Sequence, residues 1–245
     1  MLHFLHDGTP EGIFTCVYEA LKSIKKPDHL YDANRIQQSI LDEYVYTGCD
    51  YAKSEFIYKL AERRISALAQ HMICTMALSH EIDAATGILN YITEGLKYGR
   101  MIEYAYANDA VLKAWDLRKN VLSEYHKYLG FLRFNRLRCG IFFAEYAPKN
   151  NLNSLIAEHF CDRMKNERWV INDKNRGKAV VYNGEIYKEV DFEGFEMDFD
   201  NEGFETLWKK FLETVTIRER INFKLQSGNM PKRYRRFMTE NPWRG

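Results

Sequence analysis

Two hydrophobic periodicities follow one another along this chain, and the change falls near Phe131. "MLHFLHDGTPEG" reads as a short strand broken at Asp7-Gly8. A helix is predicted next, with Thr9 as N-cap, Pro10 in its first turn and Glu11 favourably placed against the helix dipole. Ile13, Phe14, Val17, Leu21 and Ile24 recur at helical spacing and are expected to face a core, with Pro27 marking the exit. "DEYVYTG" reads as a second strand. Asp50 then caps a helical stretch from Tyr51 to about Ser79, with Phe56, Leu60, Ile65, Leu68, Met72 and Ile73 among its apolar positions. "EIDAATGILNYITEGLKYG" gives another helix stopped by Gly99, and Asn108-Asp109 opens one that runs to about Gly130.

Beyond that point the period shortens to two. "FLRFNRLRCGIFFAEYAP" alternates like a pair of strands turning near Cys139-Gly140 and ending at Pro148. "NNLNSLIAEHFCDRMK" returns to a helix, capped by Asn151 or Asn153, with Leu152, Leu155, Ile156 and Phe160 inside. "RWVINDKNRGKAVVYNGEIYKEV" is a hairpin whose turn places Gly177 at positive φ. The expectation is an α+β fold: a mainly helical region over 1–130, a small antiparallel ββαββ-like sheet with a helix over 131–200, and C-terminal helices with a basic aromatic tail over 201–245, integrated as one domain.

Composition adds one asymmetry. The 245 residues carry a formal net charge of +1, so any affinity for a polyanion has to come from where charge is placed. From Glu185 to Glu205 nine acidic residues face one lysine, and from Thr206 to Gly245 ten Lys or Arg face three glutamates. These blocks either pair with each other or form two surfaces. Five cysteines at irregular gaps, without CxxC spacing, fit reduced thiols of a cytoplasmic protein and exclude zinc-ribbon and iron–sulfur ligation. No apolar run approaches the roughly 20 residues of a membrane span. P-loop, GxGxxG, nucleophile-elbow and HExxH motifs are absent, so no cofactor is expected.

The densest chemistry lies in "LSEYHKYLGFLRFNRL". If the helix persists, Leu122, His126, Leu129 and Arg133 share a stripe, with Glu124 and Lys127 on the next as an i,i+3 ion pair. One reading makes His126 and Glu124 acid–base candidates and Arg133 an anion clamp. The other makes His126 a partly buried histidine and Glu124–Lys127 a solvated pair. In "AEHFCDRMK", His159, Asp162 and Arg163 fall within one turn, read more readily as a helix face than as a metal site. Asp173, Lys174, Arg176 and Lys178 decorate the hairpin turn, as phosphate contacts or as solvated charge. Glu145 with Lys149, or Asp173 with Glu185, lacks the spacing of a nuclease metal site.

Several phrases together resemble a bacterial DNA-metabolism family whose members are encoded beside a radical SAM protein of DNA modification or repair. A related region, of unknown function, is fused to family-4-type uracil-DNA glycosylases. The resemblance rests on "HDGTPEGIFTCVYEA", "EYHKYLGFLRF", "AEYAPKNNLNSLIAEHFCDR", "WVINDKNRGKAVVY" and "LWKKFLETVTIRERINFKLQSGNMPKRY". Where glycosylase-fused relatives carry histidines after the proline, this chain has Asn150 and Asn151, and Arg235 replaces an aromatic after Tyr234. The likeness implies a DNA-binding accessory partner of a radical SAM enzyme. Arg133, Arg163, Arg176, Lys232, Arg233, Arg235 and Arg236 are then expected to contact phosphates, with Tyr234 or Trp243 available for stacking. The alternative is an enzyme acting on damaged DNA or nucleotides through His126 and Glu124.

Overall fold

The structure is a computed structural model that describes residues 1–137 and 140–192. The expected C-terminal helices, the basic tail and most of the acidic stretch lie outside the described residues. The chain begins with β1 (Leu2–His6), α1 (Pro10–Lys22), β2 (His29–Asp32) and β3 (Glu43–Tyr46). There follow α2 (Tyr51–Leu60), α3 (Ala67–Met76), α4 (Ala84–Tyr98) and α5 (Asp109–Phe131). The second half contains β4 (Asn135–Arg136), β5 (Phe142–Tyr146), α6 (Asn153–Arg163), β6 (Trp169–Asp173), β7 (Lys178–Tyr182) and β8 (Tyr187–Asp191).

The class is α+β. Its first half also holds a sheet, of order β2-β1-β3, in which both neighbours run parallel to β1. The four-residue strand His29–Asp32 is too short and too mixed to register in a periodicity, and α1 supplies the crossover that parallel pairing requires. Thr9 caps α1 as expected, its Oγ1 accepting from Gly12 N at 3.0 Å. Because α1 stops at Lys22, Ile24 lies beyond it and is exposed instead of facing the core. The long helix expected from Tyr51 to Ser79 is broken: a π-turn at Ala61–Ile65 leads to an extended Ser66, whose hydroxyl accepts from Ala69 N at 3.0 Å and starts α3.

The second sheet has the order β4-β5-β6-β7-β8. It is mixed: β5 and β6 are parallel, joined through α6, and the other pairs are antiparallel. Phe131 closes α5 and residues 132–134 are not strand, so the expected first strand shrinks to Asn135–Arg136. Neither Asn151 nor Asn153 caps α6: the cap is Leu152, without a side-chain bond, and the buried Asn153 accepts from the Tyr146 hydroxyl and donates to Glu189 Oε2 at 2.9 Å. The central strand β6 is buried on both faces along its whole length, apolar over Trp169, Val170 and Ile171 and ending on the buried polar pair Asn172 and Asp173. Trp169 and Ile171 pack with α5 and α6, while Val170 faces Phe143, Ala179 and Val181 on the other side.

Helix α5 serves two cores. Val111, Ala114 and Leu117 pack with α1, α3 and α4, and Val121 packs against the second sheet together with Tyr125, Tyr128 and Leu129.

Candidate nucleic-acid interface

Asn108 caps α5 by accepting from Ala110 N at 2.9 Å, so the helix register is fixed from its first turn. Val111, Ala114, Leu117 and Val121 recur every three or four residues and turn one stripe inward. The flank beside it carries Trp115, half-buried against the first core, with Arg118, Lys119, Leu122, His126 and Gly130, and lines an open trough of about 810 Å³ that ends at Lys127 and Phe131. The Arg118 guanidinium lies 5.4 Å from the Trp115 ring centroid, a cation–π contact. Phe131 is 72% exposed.

The trough lining holds Arg118, Lys119 and Lys127 against one acid, Asp116. Among the described residues, none of these three cations has an ion-pair partner. Lys53, Lys59, Lys97, Lys113 and Lys178 by contrast each lie within 3 Å of a carboxylate oxygen. Other cations without an ion pair among the described residues, such as Arg63, Arg64, Arg100, Lys165 and Arg168, do not line the trough. The Glu124–Lys127 pair expected from spacing does not form, because Glu124 points the other way.

Glu124 faces the loop after β5. Its Oε1 accepts from Lys149 N at 2.8 Å, and its Oε2 accepts from Asn150 N at 2.8 Å and Asn150 Nδ2 at 2.6 Å. Asn150 Oδ1 in turn accepts from His80 N at 3.0 Å. From the opposite side, Arg176 Nη1 and Asn175 Nδ2 donate to Pro148 O at 3.1 and 2.9 Å, and Arg176 Nη2 donates to Lys149 O. Arg176 also pairs with Asp173 at 2.9 Å, and Asp173 is fully buried. Burial pushes the Asp173 carboxyl above its ordinary range despite the guanidinium beside it. The loop is therefore held from three sides by polar groups whose partners are all internal.

The sequence-selected residues consequently separate. His126 lies in the trough, two residues and nearly a half-turn from Glu124, which is committed to the 149–150 loop. The helix ends before Arg133, whose Nη1 donates to Gly130 O at 2.6 Å and Leu132 O at 2.9 Å and so satisfies carbonyls at the helix end. Arg163 sits exposed in the last turn of α6, away from the trough lining. His159 is held below its ordinary range, chiefly by burial and then by Arg163, with Asp162 opposing. Lys232, Arg233, Tyr234, Arg235, Arg236 and Trp243 lie outside the described residues. None of the three arginines of the middle region lines the trough, and Arg133 and Arg176 are committed to backbone carbonyls.

Arg118, Lys119 and Trp115 were not legible as a site, although Trp115, Arg118/Lys119, Leu122 and His126 follow the i,i+3/i+4/i+7 rule and the signal was present. A second concentration of ionisable groups was hidden by the missing strand. At the carboxyl edge of the parallel sheet, buried His6 accepts from Gly8 N at 3.0 Å, and Asp7 accepts from Thr9 N at 2.9 Å. Burial lowers the His6 imidazole against the pull of Asp32 and Asp7, and raises the Glu11 carboxyl. Among the described residues, no group of three or more His, Cys, Asp or Glu is placed to hold a metal ion, and no helix is long and apolar enough to cross a membrane.

Residues 83–240 match the model of a domain of unknown function, DUF4130. The chain belongs to this family. No curated protein matches the sequence. The family region begins one residue before α4 and takes in α5, the trough, the 148–151 loop and the second sheet, whereas β1 and α1 precede it.

Proposed function

We propose that this protein handles DNA in repair or metabolism as a binding module, engaging the phosphate backbone along the outer face of α5. The observation that carries the reading is charge placement: Arg118, Lys119 and Lys127 line one open trough, flanked by Trp115 and Phe131, without ion-pair partners among the described residues. Cations held beside aromatic rings and left without carboxylates match a polyanion that also offers π-faces. In this reading the protein is an accessory subunit that presents DNA to a separate radical SAM enzyme. The family likeness of the sequence supports that part, and the radical chemistry would reside in the partner.

Three phosphate contacts correspond to a slope in log K against log salt of about −2.7 on a duplex and about −2.1 on a single strand. Fluorescence anisotropy of a labelled oligonucleotide across a salt series tests this. The triple variant Arg118→Ala/Lys119→Ala/Lys127→Ala should flatten the slope by about that amount. An unchanged slope would remove the trough as the binding face. Co-purification of a radical SAM protein from native cells tests the accessory role, and its absence under gentle lysis counts against it.

A further inference from the structure

Gly130 occupies a helical position that nothing among the described residues reserves for glycine. Its φ is not positive, and a Cβ built on it meets no atom of the described residues within 4 Å. Glycine within a helix costs about 1 kcal/mol relative to alanine, so neither backbone geometry nor packing explains it. What the missing side chain leaves is open space at one end of the trough, directly beside the exposed ring of Phe131. Trp115 stands at the other end, sixteen residues and about 24 Å earlier along the helix axis. Between them the floor is Leu122, with Arg118 and Lys119 near one end and Lys127 near the other.

We infer that the trough takes single-stranded nucleic acid, with a base stacking on Phe131 over Gly130 while Arg118, held over the Trp115 ring, and Lys119 and Lys127 follow the backbone. The inference rests on the DNA reading above and narrows its substrate class. A duplex presents phosphates to the same cations but keeps its base faces in the stack, so it has no use for an apolar floor that ends on an exposed ring. An unpaired strand offers both groups at once, over a site on the order of four nucleotides.

The test compares a labelled single strand of about fifteen nucleotides with the duplex of the same sequence at about 50 mM salt, by anisotropy. The proteins are wild type, Gly130→Leu and Phe131→Ala, with the thermal midpoint of each measured alongside. Wild type should prefer the single strand by at least about tenfold, and Phe131→Ala should weaken single-strand binding about 5- to 150-fold. Gly130→Leu fills the space and should weaken single-strand binding comparably without lowering the midpoint. Equal affinity for both forms, or full single-strand binding by a well-folded Gly130→Leu, overturns the single-strand assignment and leaves the backbone-contact reading standing. Binding of neither form overturns both.

Discussion

Glu124 Oε2 accepts two hydrogen bonds from Asn150, one from its backbone amide and one from its side-chain amide. A third, from Lys149 N, reaches Oε1, so both carboxylate oxygens tie α5 to the loop after β5. Glu124→Gln keeps one acceptor and turns an NH₂ towards donors. It should cost about 1–3 kcal/mol in urea-induced unfolding, because partly buried amides lose their partner. A role as proton carrier with no structural duty would leave stability unchanged.

Arg176 and Asp173 make a second testable tie. Removing the guanidinium strands a fully buried carboxylate as well as the carbonyls of Pro148 and Lys149. Arg176→Ala is expected to cost about 3–5 kcal/mol, and the double variant Arg176→Ala/Asp173→Asn less than that. Chemical denaturation of the three proteins decides it. If Arg176 instead served only phosphates, the single variant would unfold at the wild-type midpoint.

Two glycines should answer alanine in opposite ways. A Cβ on Gly12 would lie 1.9 Å from Asp7 Oδ1, the atom that accepts from both Thr9 N and Thr9 Oγ1 at the entry to α1. Gly12→Ala should therefore destabilise by about 1–3 kcal/mol. Gly130→Ala meets open space within a helix and should stabilise by about 0.5–1 kcal/mol. Thermal melts of both variants provide the check.

Glu158, on α6, carries a proton to unusually high pH. Burial, then the neighbouring Asp162, raises its carboxyl from an ordinary 4.5 to about 7. Between these values the folded protein holds a proton that the unfolded chain has lost. Stability from this group is thus full below about pH 4.5 and falls as pH rises towards 7. Glu158→Gln should raise stability at pH 8 by about 1–2 kcal/mol and change little at pH 4.5. Equal effects at both pH values would refute the shift.

The starts of α1, α2 and α5, the stop at Gly99, the hairpin turn and the α+β class were readable because each rests on local chemistry. Thr9, Asp50 and Asn108 cap with their own side chains, and Gly99 and Gly177 have positive φ at a helix stop and a hairpin turn. What escaped depended on distant partners. β2 exists because β1 offers it a parallel edge, and β5 pairs parallel with β6 only after α6 has carried the chain across. The site followed the same rule. Arg133 and Arg176 carried the right charge for phosphate, but the fold spends them on carbonyls of Gly130, Leu132, Pro148 and Lys149. What sets Arg118, Lys119 and Lys127 apart is that they line one trough, and the sequence does not show which unpaired cations the fold gathers there.

One helical turn separates Leu117, in the first core, from Val121, in the second. The two halves of the chain therefore share a rigid spine, and melting either one strips packing from the other. Hydrogen exchange should show α5 amides opening only together with whole-molecule unfolding, and a fragment ending at Phe131 should bare Tyr125 and Tyr128 and lose cooperativity. A ligand seated on the outer side of that spine would brace both halves at once.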